Sequence, residues 1–222
     1  MIMPEFSIRK ASLKDVPFLV NTIIEAEKSG TEIFTYSTIF GLSEDESRKY
    51  ITDMLLEEID GCELSMSGFL LAEKDNQLAA AVGAWIEGYE GIPSSILKGN
   101  LLSYTLPKAC IEKAMSLNNL VKELHLEYID NTIQIGLVYV SESFRGMGLA
   151  NFLIEEQIKQ LLQVSPGIKE SYVQVFGDNK AAIKSYQKSG FKIISEKRAV
   201  SKEIINYFPS DSKVLMKREL NQ

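Results

Sequence analysis

The sequence is poor in the residues that build metal centres and covalent frameworks. It holds a single histidine, His125, in 222 residues, so a histidine-based metal site is not expected. Its two cysteines, Cys62 and Cys110, have no metal-ligand spacing and form no disulfide framework; both read as ordinary buried thiols. Positive charge is not in excess. Twenty-four Lys and Arg stand against 30 Asp and Glu, a net charge of −6, which argues against a nucleic-acid binder held by bulk basicity. Long apolar runs are also missing: the longest, Leu78 to Ile86, falls far short of a bilayer span. The opening stretch, Met1 to Lys10, lacks the apolar core of a signal peptide. No membrane partner is expected, and the expected location is cytoplasmic.

What is present suits an ordinary globular chain. With 45% hydrophobic and 24% charged residues, the chain can bury a sizeable core, and residues 1–222 are read as one domain. Phe6 to Lys10 alternates as a half-buried strand does. Ser12-Leu-Lys-Asp15 starts a helix carrying Val16, Leu19, Ile23 and Ile24. Gly30 to Gly41 shows no clear period and reads as an ordered loop. Ser43-Glu-Asp-Glu46 is a capping-box pattern opening a second helix to about Glu58. Two strands, Gly68 to Lys74 and Gln77 to Glu87, flank the hairpin signal Asp75-Asn76, and Gly83 suggests a bulge or a close approach. Residues 88–127 read as a mostly helical insertion, turn-rich to Asn100 and then helical from Leu101 to Val121 in one or two pieces, with Pro107 near a helix start and a break near Leu117. After Thr132 to Val140, a strand apolar enough to be covered on both faces, come a helix from Gly148 to Gln163, a strand from Ser171 to Phe176, a helix from Lys180 to Ser189 and two further strands. Two βα crossovers near the middle predict parallel pairing, and hairpins dominate the ends. The fold class is α/β, a mixed and mostly antiparallel sheet with helices on both faces.

The most informative segment is Val138-Tyr-Val-Ser-Glu-Ser-Phe-Arg145-Gly-Met-Gly148-Leu-Ala150-Asn151. A β-branched run ends in a short polar turn, and Arg145-Gly-Met-Gly-Leu-Ala then opens an amphipathic helix. Glycines at such a turn let the backbone approach a bound group. The unpaired amides and the dipole of the helix start favour an anion there, such as a phosphate or pyrophosphate.

Together with residues 172–191, this segment resembles the GCN5-related N-acetyltransferase (GNAT) superfamily. The superfamily signature, Gln or Arg, two residues, Gly, one residue, then Gly or Ala, stands here as Arg145, Gly148 and Ala150. The strand Tyr172 to Phe176, Asn179, Tyr186 and Gly190-Phe191 repeat the family's second block at its spacing. The resemblance implies the GNAT fold, with two parallel strands splayed apart, and acetyl-CoA as cosubstrate with no metal. It implies that the backbone of Val138, Tyr139 and Val140 pairs with the pantetheine and that the amides of Gly146, Met147, Gly148, Leu149, Ala150 and Asn151 hold the pyrophosphate. Arg145 adds charge-assisted contacts, and Asn179 holds the pantetheine or caps its helix. Tyr186 is the candidate general acid toward the departing sulfur.

The implied reaction is acetyl transfer to a primary amine by direct attack, with a small-molecule acceptor favoured over a protein amine and a homodimer left open. The general base is poorly marked. Glu87, at a strand end near the family's acceptor channel, is a candidate, though an exposed strand-end charge is the plainer reading. Trp85 and Tyr89 are candidate lining residues, with simple packing as the other reading; Glu44, Asp45, Glu46, Glu57, Glu58 and Asp60 could form an acidic rim attractive to a cationic amine, though a solvated helix face is the plainer reading. The alternative is a non-catalytic acetyl-CoA-binding sensor or interaction module of the same fold. A nucleotide-binding α/β protein is disfavoured, since the motif lacks the Lys-Ser/Thr ending of a P-loop and the third glycine of a dinucleotide fingerprint.

Overall fold

In the computed structural model, which describes residues 5–220, two periods of hydrophobicity meet across one sheet. Met1 to Pro4, part of the opening stretch without a signal-peptide core, lie outside the described residues, as do Asn221 and Gln222. The strands are β1 (Ser7–Lys10), β2 (Phe69–Lys74), β3 (Gln77–Ile86), β4 (Ile133–Val140), β5 (Glu170–Phe176), β6 (Lys192–Arg198) and β7 (Ser212–Glu219). They form a seven-stranded sheet in the order β1-β2-β3-β4-β5-β7-β6. The helices are α1 (Val16–Lys28), α2 (Thr35–Phe40), α3 (Glu44–Leu56), α4 (Ser94–Thr105), α5 (Lys108–Ser116), α6 (Asn118–Leu124), α7 (Leu149–Val164) and α8 (Lys180–Lys188).

Strand alternation sorts the side chains into two layers. Leu70, Ala72, Ala80, Val82, Ile133 and Ile135 face a core closed by Leu149, Leu153, Ile154 and Ile158 of α7. Phe69, Leu71 and Ala81 face the other core, closed by Leu19, Ile23 and Ile24 of α1 and by Ile51, Met54 and Leu55 of α3. Each Val, Leu, Ile, Phe or Met among them, fully buried, contributes about 1.5–3 kcal/mol. Helix starts are set locally. Ser43 accepts from Glu46 N at 3.2 Å while Glu46 Oε2 accepts from Ser43 N at 2.8 Å, the reciprocal capping box expected from the sequence. At the hairpin, Asp75 and Asn76 both take positive φ, 50° and 62°, as a two-residue turn matched to strand twist requires.

The structure departs from the sequence reading in four places. Residues 35–40 of the expected loop form the short helix α2. Its packing explains it: Tyr36 and Ile39 are buried, and Thr38 Oγ1 donates to the Tyr207 carbonyl at 2.8 Å. Between β3 and β4 the helices begin at Ser94 rather than Leu101 and come in three pieces. The additional break falls at Leu106, which is extended (φ −86°, ψ 147°) before Pro107, because proline disfavours the helical conformation in the residue before it. Of the two readings of Gly83, the close approach holds, since a Cβ there would lie 2.9 Å from the Phe69 ring, whereas the bulge lies on the facing strand. Val82 pairs with Val138 but Ala84 with Ile135, so Gly136 and Leu137 of β4 together oppose Gly83. Finally, only one crossover gives a parallel pair, β4 with β5. The second, through α8, leads to β6, and β7 intervenes, antiparallel to both β5 and β6.

Candidate active site

The parallel pair is short. Ile133 to Ile135 face Ser171 to Val173, and beyond them the pairing stops. From there β4 carries its bulge, which adds twist and ends regular pairing, while β5 continues to pair with β7 through Phe176. The strands diverge, and the β5-side edge of Leu137 to Val140 is left without a strand partner. A cavity of about 750 Å³ opens at this wedge, lined by Val138, Tyr139, Val140, Gln174, Phe176 and Tyr186 among others. At its inner end lies Trp85, so close over Gly136 that a Cβ there would sit 2.6 Å from its Cζ3. The indole also packs edge-on against Tyr128, centroids 5.4 Å apart. Tyr139 turns its ring away from the core of α7 to meet Phe18 of α1, 6.0 Å between centroids.

At the outer end of the wedge the glycine motif is open. Gly146 and Gly148 have φ of 80° and 81°, in the region that favours glycine, and a Cβ on Gly146 would meet nothing within 4 Å. The amides of Gly146, Met147, Gly148, Leu149, Ala150 and Asn151 have no backbone acceptor among the described residues; the first helical bond runs from Phe152 N to Gly148 O at 3.1 Å. Six donors without backbone acceptors therefore gather at the positive end of a 16-residue helix, the arrangement that binds anions. Arg145 lines the cavity; its Nε donates to the Val140 carbonyl at 3.2 Å and its Nη1 lies 3.6 Å from Glu142. The residues present fit an extended carrier with a charged end.

On the other wall, Asn179 caps α8. Its Oδ1 accepts from Ala182 N at 3.0 Å and its Nδ2 donates to Ser29 Oγ at 2.8 Å, clipping the end of α1 to the start of α8. Asn151 Oδ1 accepts from Ser185 Oγ at 2.8 Å and ties α7 to α8. Tyr186 is 7% exposed, packs edge-on against Phe191, and lines the cavity with no hydrogen-bond partner for its hydroxyl among the described residues. Burial pushes its pKa up, so it keeps its proton at neutral pH.

Three candidate acceptor-side features do not reach the cavity. Glu87 is neither an exposed strand-end charge nor a base facing the cavity. It is 2% exposed and its carboxylate is occupied, accepting from Trp85 Nε1 at 2.8 Å, Ser94 Oγ at 2.5 Å and Ser94 N at 2.9 Å. It anchors the start of α4 and the tryptophan. Tyr89 is half exposed and does not line the cavity. The acidic residues Glu44, Asp45, Glu46, Glu57, Glu58 and Asp60 do not line it either; Glu44 pairs with Lys28 and Arg48 on the outer face of α3.

Apart from Arg145, the charged residues that do line the cavity carried no signal in the sequence. They are Glu25 and Glu27 of α1, Glu63, Lys98 of α4 and Lys213 of β7. Glu63 and Lys98 form an ion pair, and Tyr36 Oη donates to Glu63 Oε1 at 3.2 Å. Burial opposes ionisation of Glu63, but the Lys98 ammonium outweighs it and holds the carboxyl below its usual value. Glu27 has no such cation. Burial, reinforced by the Glu63 carboxylate, pushes its pKa up, as expected of a desolvated acid beside a like charge. Burial also lowers the pKa of Lys213. Among the described residues, no group of His, Cys, Asp and Glu is placed to hold a metal ion, and no helix is long and apolar enough to cross a membrane.

A family model, the Acetyltransferase (GNAT) family, matches residues 35–191, and the chain belongs to that family. Solved structures share the fold at low identity. The N-acetyltransferase from Staphylococcus aureus Mu50 is 15% identical with a TM-score of 0.64, over 95% of this chain and 99% of that one. The Drosophila melanogaster polyamine N-acetyltransferase is 12% identical with a TM-score of 0.56, over 97% and 100%. The ribosomal-protein-alanine N-acetyltransferase from Brucella melitensis is 15% identical with a TM-score of 0.54, over 96% and 99%. No curated protein matches the sequence.

Proposed function

We propose that this chain transfers an acetyl group from acetyl-CoA to the primary amine of a small molecule. The observation that carries the reading is one cavity that follows an unpaired strand edge from Arg145, which adjoins six unpaired amides, to a buried tyrosine and an unpaired carboxylate. The amides of Gly146 to Asn151 would hold the pyrophosphate, with Arg145 beside them. Leu137 to Val140 would pair with the pantetheine amides as a strand edge pairs with an added strand. Acetyl-CoA, when bound, supplies an activated thioester.

The chain's own residues then handle two protons. An amine of pKa about 10.4 is almost fully protonated at pH 7, and freeing it costs about 4.6 kcal/mol. Glu27, with its raised pKa, is placed to accept that proton. Tyr186 Oη holds a proton and is fit to donate it to the departing thiolate. Positioned proton transfers of this kind contribute about 10²–10⁴ in rate. The related structures include enzymes named for agmatine, polyamine and protein-alanine acetylation. For this chain a small acceptor is favoured, because α2 and the helices between β3 and β4 wall the cavity. We read residues 88–127 as an insertion into the family fold that does this. Glu27 also weakens the case for a non-catalytic module, which rested on the lack of an evident base.

The test is release of CoA thiol from acetyl-CoA across a panel of amines, with Gly148→Glu alongside. Wild type should turn over at least one amine. The variant, placing a carboxylate at the amide cluster and a side chain at positive φ, should lose acetyl-CoA binding while remaining folded. Normal acetyl-CoA affinity in the folded variant would remove the site from this location.

A further inference from the structure

The charged side chains lining the inner cavity, Glu25, Glu27, Glu63, Lys98 and Lys213, are not equally provided for. Glu63 and Lys98 neutralise each other, and the Lys98 ammonium also sits 5.5 Å above the Tyr36 ring. Glu27 and Lys213 have no ion-pair partner among the described residues. The Thr35 side chain lies close enough to favour the ionised Glu27, although its buried hydroxyl makes no full hydrogen bond. Lys213 has only the face of Phe176, 5.4 Å from its Nζ. The two lie too far apart for a salt bridge, yet each feels the other's charge. An enclosed charge without a counter-ion is costly, and here two of opposite sign face the same space. One ligand carrying both complementary charges relieves both costs. A polycationic amine leaves Lys213 without a counter-ion.

We propose that the acceptor is a small zwitterion, an amino acid or close analogue, whose amino group faces Glu27 and whose carboxylate faces Lys213. This rests on the acetyl-transfer reading of the same cavity and narrows its substrate class.

Matched pairs that differ only by the carboxylate test it: leucine with isopentylamine, phenylalanine with phenethylamine, and arginine with agmatine, each assayed for thiol release with the full chain. A charge-assisted contact predicts kcat/KM about 10-fold or more higher for the amino acid of at least one pair. Lys213→Met should erase that preference by raising KM for the amino acid, with kcat and the acetyl-CoA Kd near wild type. Lys213→Arg should restore part of it. Equal or better turnover of the decarboxylated partner by wild type in every pair that reacts overturns the zwitterion and leaves acetyl transfer standing. Preference for the amino acid that survives in a folded Lys213→Met removes Lys213 from the assignment. Thiol release with no amine at all, despite acetyl-CoA binding, overturns both readings.

Discussion

Replacing Glu87 by Gln separates an anchor from a base. The carboxylate accepts three hydrogen bonds, two of them on Oε2 and one on Oε1, at a position 2% exposed. Glutamine keeps one acceptor oxygen and turns its amide donors toward groups that are themselves donors. At least one charge-assisted bond is lost, about 1.5–3 kcal/mol, and a buried donor is left unsatisfied for about 1–3 kcal/mol more. Partial relaxation leaves a net loss of about 2–4 kcal/mol, which for a chain of this size lowers Tm by about 5–15 °C. Trp85 is the only tryptophan, and its indole N–H is one of the donors affected, so fluorescence-detected urea unfolding reads the change at its source. The damage should reach the acceptor side, since Ser94 begins α4 and Lys98 lies one turn on. Acceptor KM should rise while the pH dependence of kcat keeps its wild-type shape. An unchanged unfolding midpoint, together with loss of the acidic limb of the kcat profile, would refute the anchoring argument and return Glu87 to the role of base.

Other outcomes rest on the same contacts. Gly136→Ala drives a methyl against Trp85 at 2.6 Å; overpacking costs about 1–3 kcal/mol and should shift the tryptophan emission and raise acceptor KM, and unaltered emission would mean the ring is not held where it lies. Tyr186→Phe removes a hydroxyl that bonds nothing among the described residues, so Tm should move little while kcat falls about 100-fold with acetyl-CoA affinity kept; unchanged kcat under chemistry-limited conditions would exclude Tyr186. At acid pH the buried Asp15 matters. The Arg9 guanidinium, 2.7 Å away, holds its carboxyl down at about 2, below the ordinary 3.8. A depressed acid contributes stability that is complete above its unfolded pKa and lost as pH falls through its folded one, here about 2 kcal/mol lost between about pH 4 and pH 2. Asp15→Asn should therefore be less stable than wild type at pH 7, and the gap should close in that window; a pH-independent gap would show that the pair is not its source.

The sequence by itself determined the frame and one end of the site. Period-two and period-3.6 patterns, caps and turn residues act over a few neighbouring positions, so the strands, the long helices, the Ser43 cap and the Asp75-Asn76 turn were legible. So was the open glycine turn, because Gly146 and Gly148 need positive φ and the amides after them are orphaned by the geometry of any helix start. Tertiary structure alone decided the rest. The helix at Thr35–Phe40 exists through packing that only the fold supplies. The place of β7 between β5 and β6 depends on a long-range choice of edge. Glu87 passed as a strand-end charge until Trp85 and Ser94, seven residues apart from it at most, closed over it. Glu27, Glu63, Lys98 and Lys213 lie far apart in the chain, each reading as an ordinary solvated charge. Their chemistry arises only when folding removes water from between them, and no local pattern records that distance.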